Sequence, residues 1–369
     1  MNLTCRSIQN RSYDIIIDWN ALDRIGELSK AGHESKFYII SDANVFALHR
    51  GRLLKALKDF STFHFIVPAG ESSKSLNNWK QIQDFLLVNG ADRRSIIIAF
   101  GGGVVGDLAG FAASTFMRGL RFIQVPTTVL SQSDSSIGAK VAVNHPDAKN
   151  LIGSFYQPAL VIIDPSLLST LPRRELSAGL GEAIKYGVIA DPDLFERLHA
   201  SVEDLLTYNK EFLTDLIQRC VQIKVRVVEE DERETGLRKI LNFGHTIGHA
   251  LEQATHYRRL RHGEAVAWGM LAAGWLSVQR KMWKESEFEK LKSIILRSGA
   301  LYPLGRLTPK NIMTALQHDK KKVGKSLSFV LPEKTGSVKI VNDVSKSEVL
   351  QAINYIFSLR AGIAHSSRL

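Results

Sequence analysis

The chain has 369 residues, a formal net charge of +11, and 44% hydrophobic and 23% charged residues. This composition is that of a folded globular protein, and the length exceeds what one hydrophobic core usually supports, so we expect two domains. With only Cys5 and Cys220, a disulfide framework is excluded and a reducing cytoplasm is expected. The early charges predict no signal peptide. Ala265–Gln279, the longest uncharged helical run, is shorter than the ~20 residues that cross a bilayer, so we expect no membrane role.

The first part of the chain alternates β-rich and helical stretches. Helical periodicity covers Val45–Asp59 and Ser75–Asn89. The predicted strands are Tyr13–Ile17, Phe37–Ser41, Phe63–Val67, Ser95–Phe100, Phe122–Val125 and Leu160–Asp164. This alternation is typical of an α/β sheet, which we assign to a domain over residues 1–165.

A glycine-rich turn, Gly101–Asp107, follows the most apolar of these strands and leads into an apolar helix. Glycines at such a turn let backbone N–H groups approach a phosphate, but the spacing is not that of the dinucleotide fingerprint. A structural turn therefore stays an alternative to nucleotide binding. Polar residues at other strand ends, such as Asp42, Glu71 and Thr127, favour a ligand at this edge of the sheet.

The second part of the chain, residues 166–369, is mainly helical. Two short β-rich runs, Leu327–Leu331 and Ser337–Val341, predict a hairpin, and we expect Ala361–Leu369 to be frayed. The predicted helices are Arg173–Ile189, Phe212–Glu230, Gly244–Thr255, Gly263–Lys281, Glu285–Ser298 and Thr308–His318.

Within this helical part, Asp231–Glu264 concentrates three histidines among carboxylates and cations. His245 and His249 are four residues apart, on one face of a helix, and His262 follows in a glycine-containing loop. Thr246 stands where a zinc protease needs glutamate, which excludes that class. Two such histidines are often structural, but the third favours a metal or proton-transfer site.

The positive charge has two explanations, nucleic acid or an anionic substrate. The basic residues are spread out and lack a nucleic-acid motif. The exceptions, Arg258–Arg261 and Lys320–Lys322, lie close in sequence to candidate site elements. We therefore expect a small anionic substrate and no nucleic-acid partner.

Several motifs together resemble those of the 3-dehydroquinate synthase family, in the right order over nearly the whole chain. They are Gly101–Asp107 with Arg118, Pro126-Thr127-Thr128, Asp134-Ser135-Ser136, Asn144-His145-Pro146, Glu182–Gly187, Asp231–Leu237, Leu241–His249 and His262-Gly263-Glu264. The resemblance implies an N-terminal NAD-binding α/β domain and an all-α C-terminal domain, in a homodimer. It also implies conversion of 3-deoxy-D-arabino-heptulosonate 7-phosphate to 3-dehydroquinate and phosphate, with NAD reduced and reoxidised within each turnover.

The resemblance also implies roles for single residues. Zn²⁺ or Co²⁺ would be bound by Glu182, His245 and His262 and not by His249. The implied catalytic residues are Glu234, His249, Lys185, Lys224, Arg238 and Asn242. Substrate contacts fall on Arg118, which reaches the neighbouring subunit's site, and on Asp134, Lys140, Asn150, Lys320 and Lys321. NAD contacts fall on Asp42, Asn44, Glu71, Lys74, Gly102, Gly103, Val104, Asp107, Thr127, Thr128, Lys149 and Thr170.

Three departures from the family pattern lie in or near the loop that holds Lys140. Ala139 and Ala148 stand where the family often has glycine, and Val141 replaces a threonine. Alanine is costly where the backbone needs positive φ.

Another sugar phosphate cyclase is therefore one alternative to the synthase function, and an iron-type NAD-dependent polyol or glycerol-phosphate dehydrogenase is the second. The cation set favours the synthase over the dehydrogenase, because a dehydrogenase does not need so many fixed donors for carboxylate and phosphate.

Overall fold

The computed structural model describes residues 12–146, 148–323 and 327–359, with the side chains of 318–323 excepted. The chain divides into two compact units. The first comprises Met1–Thr127 with Ser135–Leu167, and the second comprises Thr128–Asp134 with Leu168–Leu369. Cys5, Ala361–Leu369 and the side chains of Lys320–Lys322 lie outside the described parts.

The first unit is built on a parallel sheet, as predicted. Its strands and helices, in chain order, are β1 (Asp14–Ile17), α1 (Ile25–Leu28), β2 (Lys36–Asp42), α2 (Ala43–Ala56), β3 (Ser61–Val67), α3 (Leu76–Val88), β4 (Ile96–Gly101), α4 (Gly103–Thr115), β5 (Arg121–Pro126), β6 (Lys140–His145), β7 (Ala148–Phe155) and β8 (Leu160–Ile163). Six strands form the sheet in the order β1-β8-β5-β4-β2-β3, every pair parallel.

Strand β4 lies in the interior of this sheet and is buried throughout. Its residues divide between the two faces, with Ile96, Ile98 and Phe100 in one apolar cluster and Ile97 and Ala99 in the other. This is why the strand reads as a continuous apolar run rather than an alternating one. Because all six strands are parallel, their carboxyl ends lie at one edge of the sheet, where such folds bind ligands.

The hairpin β6–β7 was not predicted from the sequence. It is an antiparallel pair separate from the main sheet. Val141 and Val143 of β6 join the cluster that contains Leu108 and Ala109 of α4. Only two alternating apolar residues face α4, and β7 is largely exposed, so the pattern is too short to signal a strand.

Ala139 directly precedes this hairpin, and its backbone lies in the left-handed region. This conformation agrees with the glycine that the family often has at this position. The φ of Ala139 is 62° and that of Gly138 is 95°. The carbonyl of Ala139 accepts a hydrogen bond of 2.8 Å from Tyr156 N–H, which closes the hairpin. An alanine in this region costs about 1–2 kcal/mol. Ala148 is the first residue of β7.

The second unit is helical with one hairpin, β9–β10, as predicted. Its elements are α5 (Arg173–Ala190), α6 (Pro192–Leu206), α7 (Lys210–Glu230), α8 (His245–Ala254), α9 (His262–Gln279), α10 (Glu285–Arg297), α11 (Pro309–Val323), β9 (Phe329–Lys334), β10 (Ser337–Val341) and α12 (Lys346–Ser358). Helix α9 is buried along most of its length, which explains the apolar run Ala265–Gln279 as a core helix.

Helices α6 and α12 were missed in the sequence. Asp191 caps α6 by accepting from Leu194 N–H, with Pro192 in the first turn, and Ser201 interrupts the helical backbone with φ −144°. Ser345 and Glu348 form a capping box at the start of α12. Both starts carry recognised capping signals. Among the described residues, no helix has the length and apolar character needed to cross a membrane.

Candidate functional site

Helices α5 and α9 approach each other closely because both carry glycine at the contact. A Cβ on Gly181 would lie 2.4 Å from the carbonyl oxygen of Gly263, and a Cβ on Gly263 would lie 1.8 Å from that of Ala178. Neither distance is possible for a real side chain. The two glycines therefore let the helix backbones touch, which places Glu182 of α5 beside His262 at the start of α9.

A buried carboxylate lies at the centre of the histidine cluster. Oε1 of Glu182 is 3.3 Å from Nε2 of His245 and 3.3 Å from Nε2 of His262. His249 completes the group, with the ligand atoms of the three histidines within 4.8 Å of one another. The site thus combines one carboxylate from α5 with imidazoles from α8 and α9.

Glu182 is fully buried, and within the described residues neither of its carboxylate oxygens accepts a hydrogen bond of good geometry. Lys185 Nζ forms an ion pair with Oε2 of Glu182 at a distance of 2.5 Å. A buried carboxylate is costly unless cations satisfy it, and Lys185 contacts Oε2 whereas Oε1 faces the two imidazoles. Carboxylate and imidazole donors fit a divalent ion such as Zn²⁺, and three protein ligands would leave positions for a substrate.

The protonation of these groups reflects their burial and mutual charges. Burial would raise the pKa of Glu182, but the charges of Lys185 and His245 outweigh it and lower that pKa well below its ordinary value. Burial is the main cause that lowers the pKa of His245 to about 3. For His262, burial would lower the pKa, but contacts with the carboxylates of Glu182 and Glu252 outweigh it and raise the pKa to about 10. A metal must displace that proton from His262 to bind.

The outer nitrogens of two imidazoles have fixed partners. Nδ1 of His262 lies 3.1 Å from Oε2 of Glu252, which is buried, and Nδ1 of His245 lies 3.2 Å from the carbonyl oxygen of Phe243. Such partners orient metal-binding imidazoles and set the tautomer that leaves Nε2 as the ligand. No role was predicted for Glu252 from the sequence, although its place three residues after His249 was visible there.

Asp134 and Lys224 form a second buried polar group. Lys224 Nζ donates to the Asp134 side chain (2.5 Å to Oδ1) and to its backbone carbonyl (2.9 Å). The hydroxyl of Tyr186 donates to the same Oδ1 at 2.5 Å. Burial lowers the pKa of Lys224, whereas Glu182 and Asp134 outweigh burial at Lys185 and raise its pKa. Tyr186 lies within the motif Glu182–Gly187, but no role was predicted for it from the sequence.

The segment before α8 brings together three more predicted residues. Asn242 Nδ2 donates to Oε1 of Glu234 at 2.7 Å, and Glu234 has φ 59°. Arg238 is buried, and its Nη1 donates to the Glu232 carbonyl at 2.5 Å. Helix α8 then begins at His245 after Gly244, whose φ is 82°. Asn242 thus orients the Glu234 carboxylate.

In the first unit, Lys74 links two elements. Its Nζ contacts the carboxylate of Asp107 and the side-chain oxygen of Asn150. Asn144, which the sequence analysis did not assign, donates to Oε1 of Glu71 at 2.8 Å and accepts from Asn150 N–H at 3.0 Å. These contacts tie the carboxyl end of β3 to α4 and to the hairpin β6–β7.

The glycine-rich turn joins β4 to α4. Gly102 precedes α4 without a side-chain cap, and a Cβ on Gly103 would lie 3.0 Å from Ser135 Oγ. Residues 102–104 are partly accessible. Thr127 Oγ1 at the end of β5 is buried without a partner in the described residues. A partly accessible helix start that follows a glycine and has no side-chain cap fits the phosphates of a dinucleotide.

Comparison with known proteins decides the family. Residues 64–178 match the family model described as 3-dehydroquinate synthase N-terminal, and residues 179–322 match the one described as 3-dehydroquinate synthase C-terminal. The chain belongs to the 3-dehydroquinate synthase family. It is 45% identical over 349 residues to the 3-dehydroquinate synthase of Desulforamulus reducens, a match that covers 94% of this chain and 97% of that protein.

Two solved structures of related cyclases are similar to this member of the 3-dehydroquinate synthase family. One is ValA, the 2-epi-5-epi-valiolone synthase of Streptomyces hygroscopicus subsp. jinggangensis with NAD⁺ and Zn²⁺ bound, at 27% identity and TM-score 0.89, covering 96% of this chain and 99% of that one. The other is 2-deoxy-scyllo-inosose synthase complexed with carbaglucose-6-phosphate, NAD⁺ and Co²⁺, at 30% identity and TM-score 0.86, covering 94% and 97%. The predicted fold class, an α/β domain followed by a helical one, is confirmed.

Other residues to which the 3-dehydroquinate synthase pattern gives a role lie at a helix start, in turns or at the surface. Asp42 accepts from Asn44 N–H and Val45 N–H and so caps α2. Thr128 hydrogen-bonds with Ser131 in the turn before Asp134. Arg118 and Lys140 are exposed. Thr170 ends a 3₁₀ turn before α5.

Proposed function

We propose that this chain converts 3-deoxy-D-arabino-heptulosonate 7-phosphate to 3-dehydroquinate and phosphate, as the family to which it belongs does. The observation that carries the proposal is the buried Glu182 carboxylate between His245 and His262. A metal-binding constellation next to buried lysines suits a polyhydroxylated anionic substrate better than a simple alcohol.

The proposed cofactors are NAD and Zn²⁺ or Co²⁺. When bound, NAD supplies reversible hydride transfer within one turnover, and the metal supplies Lewis-acid polarisation of a substrate oxygen. Glu182, His245 and His262 would hold the metal. NAD would be held by Asp42, Asn44, Glu71, Lys74, Gly102, Gly103, Val104, Asp107, Thr127, Thr128, Lys149 and Thr170. We place the working boundary between the domains at residue 165.

The side chains of the second unit would bind and orient the substrate. The buried ammonium groups of Lys185 and Lys224 can donate to ring oxygens, and Lys224 is already aligned by Asp134. Glu234, whose carboxylate is oriented by Asn242, and the exposed His249 would move protons. A fixed buried lysine needs no reorganisation when it meets an oxygen, which is the source of its catalytic benefit.

Cations would hold the phosphate and carboxylate of the substrate. Arg238 is buried and fixed by its bond to the Glu232 carbonyl, so its guanidinium is a preorganised anion ligand. Lys140 and Asn150 of the hairpin β6–β7, with Lys320 and Lys321, complete the proposed substrate contacts. These roles for the basic residues fit a cytoplasmic enzyme without a nucleic-acid partner. Nucleic-acid binding of sub-micromolar strength at physiological salt would contradict this part of the proposal.

The proposed substrate can be tested by comparing phosphate release from two sugar phosphates. Purified protein loaded with NAD and Zn²⁺ or Co²⁺ is given the heptulosonate 7-phosphate or a hexose 6-phosphate, and released phosphate is measured. We expect release from the heptulosonate alone. Release from the hexose phosphate, and not from the heptulosonate, would assign the chain to another cyclase activity, such as that of 2-deoxy-scyllo-inosose synthase, whose structure holds carbaglucose-6-phosphate.

A homodimer in which Arg118 serves the neighbouring site is also proposed. Met117, Arg118 and Gly119 have φ of 49°, 65° and 127°, a turn that presents Arg118 to solvent. Nearby on β7, Leu151 and Phe155 are 67% and 42% exposed, an apolar surface suited to a second copy.

This sharing predicts complementation between two inactive variants. Arg118→Ala and Lys224→Met, expressed together with different tags and purified as hybrids, regain one working site per dimer, because the intact Arg118 completes the site with an intact Lys224. Phosphate release is the measurement, with each variant alone as the control. Inactive hybrids, or an Arg118→Ala protein with full activity, would contradict shared sites.

A further inference from the structure

The loop after α7 is folded around one carboxylate. Oδ1 of Asp231 accepts from Thr235 N–H at 2.9 Å and from its hydroxyl at 3.2 Å. Oδ2 accepts from Gly236 N–H at 2.7 Å and from Arg238 N–H at 3.0 Å. A single side chain therefore ties together residues 231–238 through four hydrogen bonds.

The carboxylate is itself anchored to a rigid element. Asp231 ends α7, and its N–H donates to the Val227 carbonyl at 3.1 Å. Two turns earlier the same helix carries Lys224, whose ammonium is held by Asp134. Although desolvation opposes ionisation, the N–H groups of Gly236 and Thr235 outweigh it and lower the pKa of Asp231 to about 2. Asp231 is thus a charged acceptor on a fixed helix end.

Two residues of the proposed site depend on this loop. Glu234 has φ 59°, a conformation that a residue with a side chain keeps only where the surroundings hold it. Glu234 lies in the chain between Asp231 and Thr235, and the N–H of Thr235 donates to the Asp231 carboxylate. Arg238 is bound to Asp231 through its own N–H. The Asp231 carboxylate therefore holds the backbone directly after Glu234, and it holds Arg238 at the start of the 3₁₀ turn Leu237–Asn242.

We infer that Asp231 is a positioning residue that holds Glu234 and Arg238 in place for the reaction, an inference that rests on the proposed function. The carboxylate accepts its four bonds from within the loop, so its effect passes through the two residues that the loop presents. Misplacing a catalytic group by about 1 Å can cost about 10²-fold in rate.

The test is Asp231→Asn in the full, metal-loaded chain. The variant keeps the shape of the side chain, but its amide nitrogen faces N–H groups that need an acceptor. We expect kcat to fall about 10²-fold, with metal content and melting temperature close to those of the wild type. Thr235→Ala, which removes one of the four bonds, should give a smaller loss in the same direction.

Asp92→Asn is the matched control. Asp92 also accepts from a backbone N–H two residues on and from a nearby hydroxyl, those of Arg94 and Ser95, but its loop carries none of the proposed site residues. We expect its kcat to be unchanged. Full activity of Asp231→Asn, or an equal loss in both variants, would overturn the inference.

A double-mutant cycle separates positioning from general stability. In a Glu234→Gln background, Asp231→Asn should cost less activity than in the wild type, because the group through which it acts is already impaired. Losses that multiply fully would assign Asp231 a structural role and overturn the inference. An unmodified chain that releases no phosphate from the heptulosonate would instead contradict the proposed function.

Discussion

Glu182→Gln is expected to abolish metal binding, whereas His249→Ala is expected to retain it. Glutamine keeps the size of Glu182 but removes the charge that faces His245 and His262. Loss of a Lewis acid worth several kcal/mol should lower kcat by about 10³-fold or more. His249 is exposed and is proposed to move protons, so its replacement should lower kcat by about 10²–10⁴-fold with the metal still present.

Elemental analysis of the purified variants decides whether Glu182 or His249 binds the metal together with His245 and His262. Circular dichroism checks that Glu182→Gln is folded, because Lys185 loses its ion-pair partner in that variant. The assignment is contradicted by a His249→Ala protein without metal, or by a folded Glu182→Gln protein with a full complement.

Gly263→Ala is expected to destabilise the second unit strongly. The new Cβ would lie 1.8 Å from the carbonyl oxygen of Ala178, a backbone atom that cannot move without displacing α5. Overpacking of this kind costs about 3 kcal/mol or more. Because His262 is the adjacent residue, we also expect weaker metal binding, measured by competition with a chelator.

Gly51→Ala provides the control for this change. Gly51 lies in α2, and a Cβ there would meet nothing within 4 Å. Alanine in an open helical position should stabilise by about 0.5–1 kcal/mol. Thermal and denaturant unfolding of both variants measure the contrast. Equal stability of the two would show that the α5–α9 contact tolerates a side chain and would remove the packing explanation of the site.

Local sequence signals predicted much of this fold because they act over few residues. The apolar run before Gly101 predicts a doubly covered strand, and β4 is buried on both faces. The spacing of His245 and His249 predicts one helical face, and their ring centroids lie 5.3 Å apart at the start of α8. Periodicity and glycine turns are therefore sufficient where the partners are neighbours in the chain.

Contacts distant in sequence were not predictable in this way. Glu182 is an ordinary helical glutamate in the sequence, and only the family resemblance linked it to His262. The physical signal was the pair Gly181 and Gly263, each beside a proposed ligand, but its meaning required the two helices to be in contact. Glu252 and Tyr186 were missed for the same reason, because their partners, His262 and Asp134, come from other segments.

NAD is proposed to act as a recycled cofactor in the release of phosphate from the heptulosonate 7-phosphate. The most direct measurement follows phosphate and the absorbance of NADH together, with NAD⁺ at a small fraction of the substrate concentration. We expect many equivalents of phosphate for each NAD⁺ and no steady rise in NADH. NADH that accumulates in step with product would contradict this account and identify a polyol or glycerol-phosphate dehydrogenase instead.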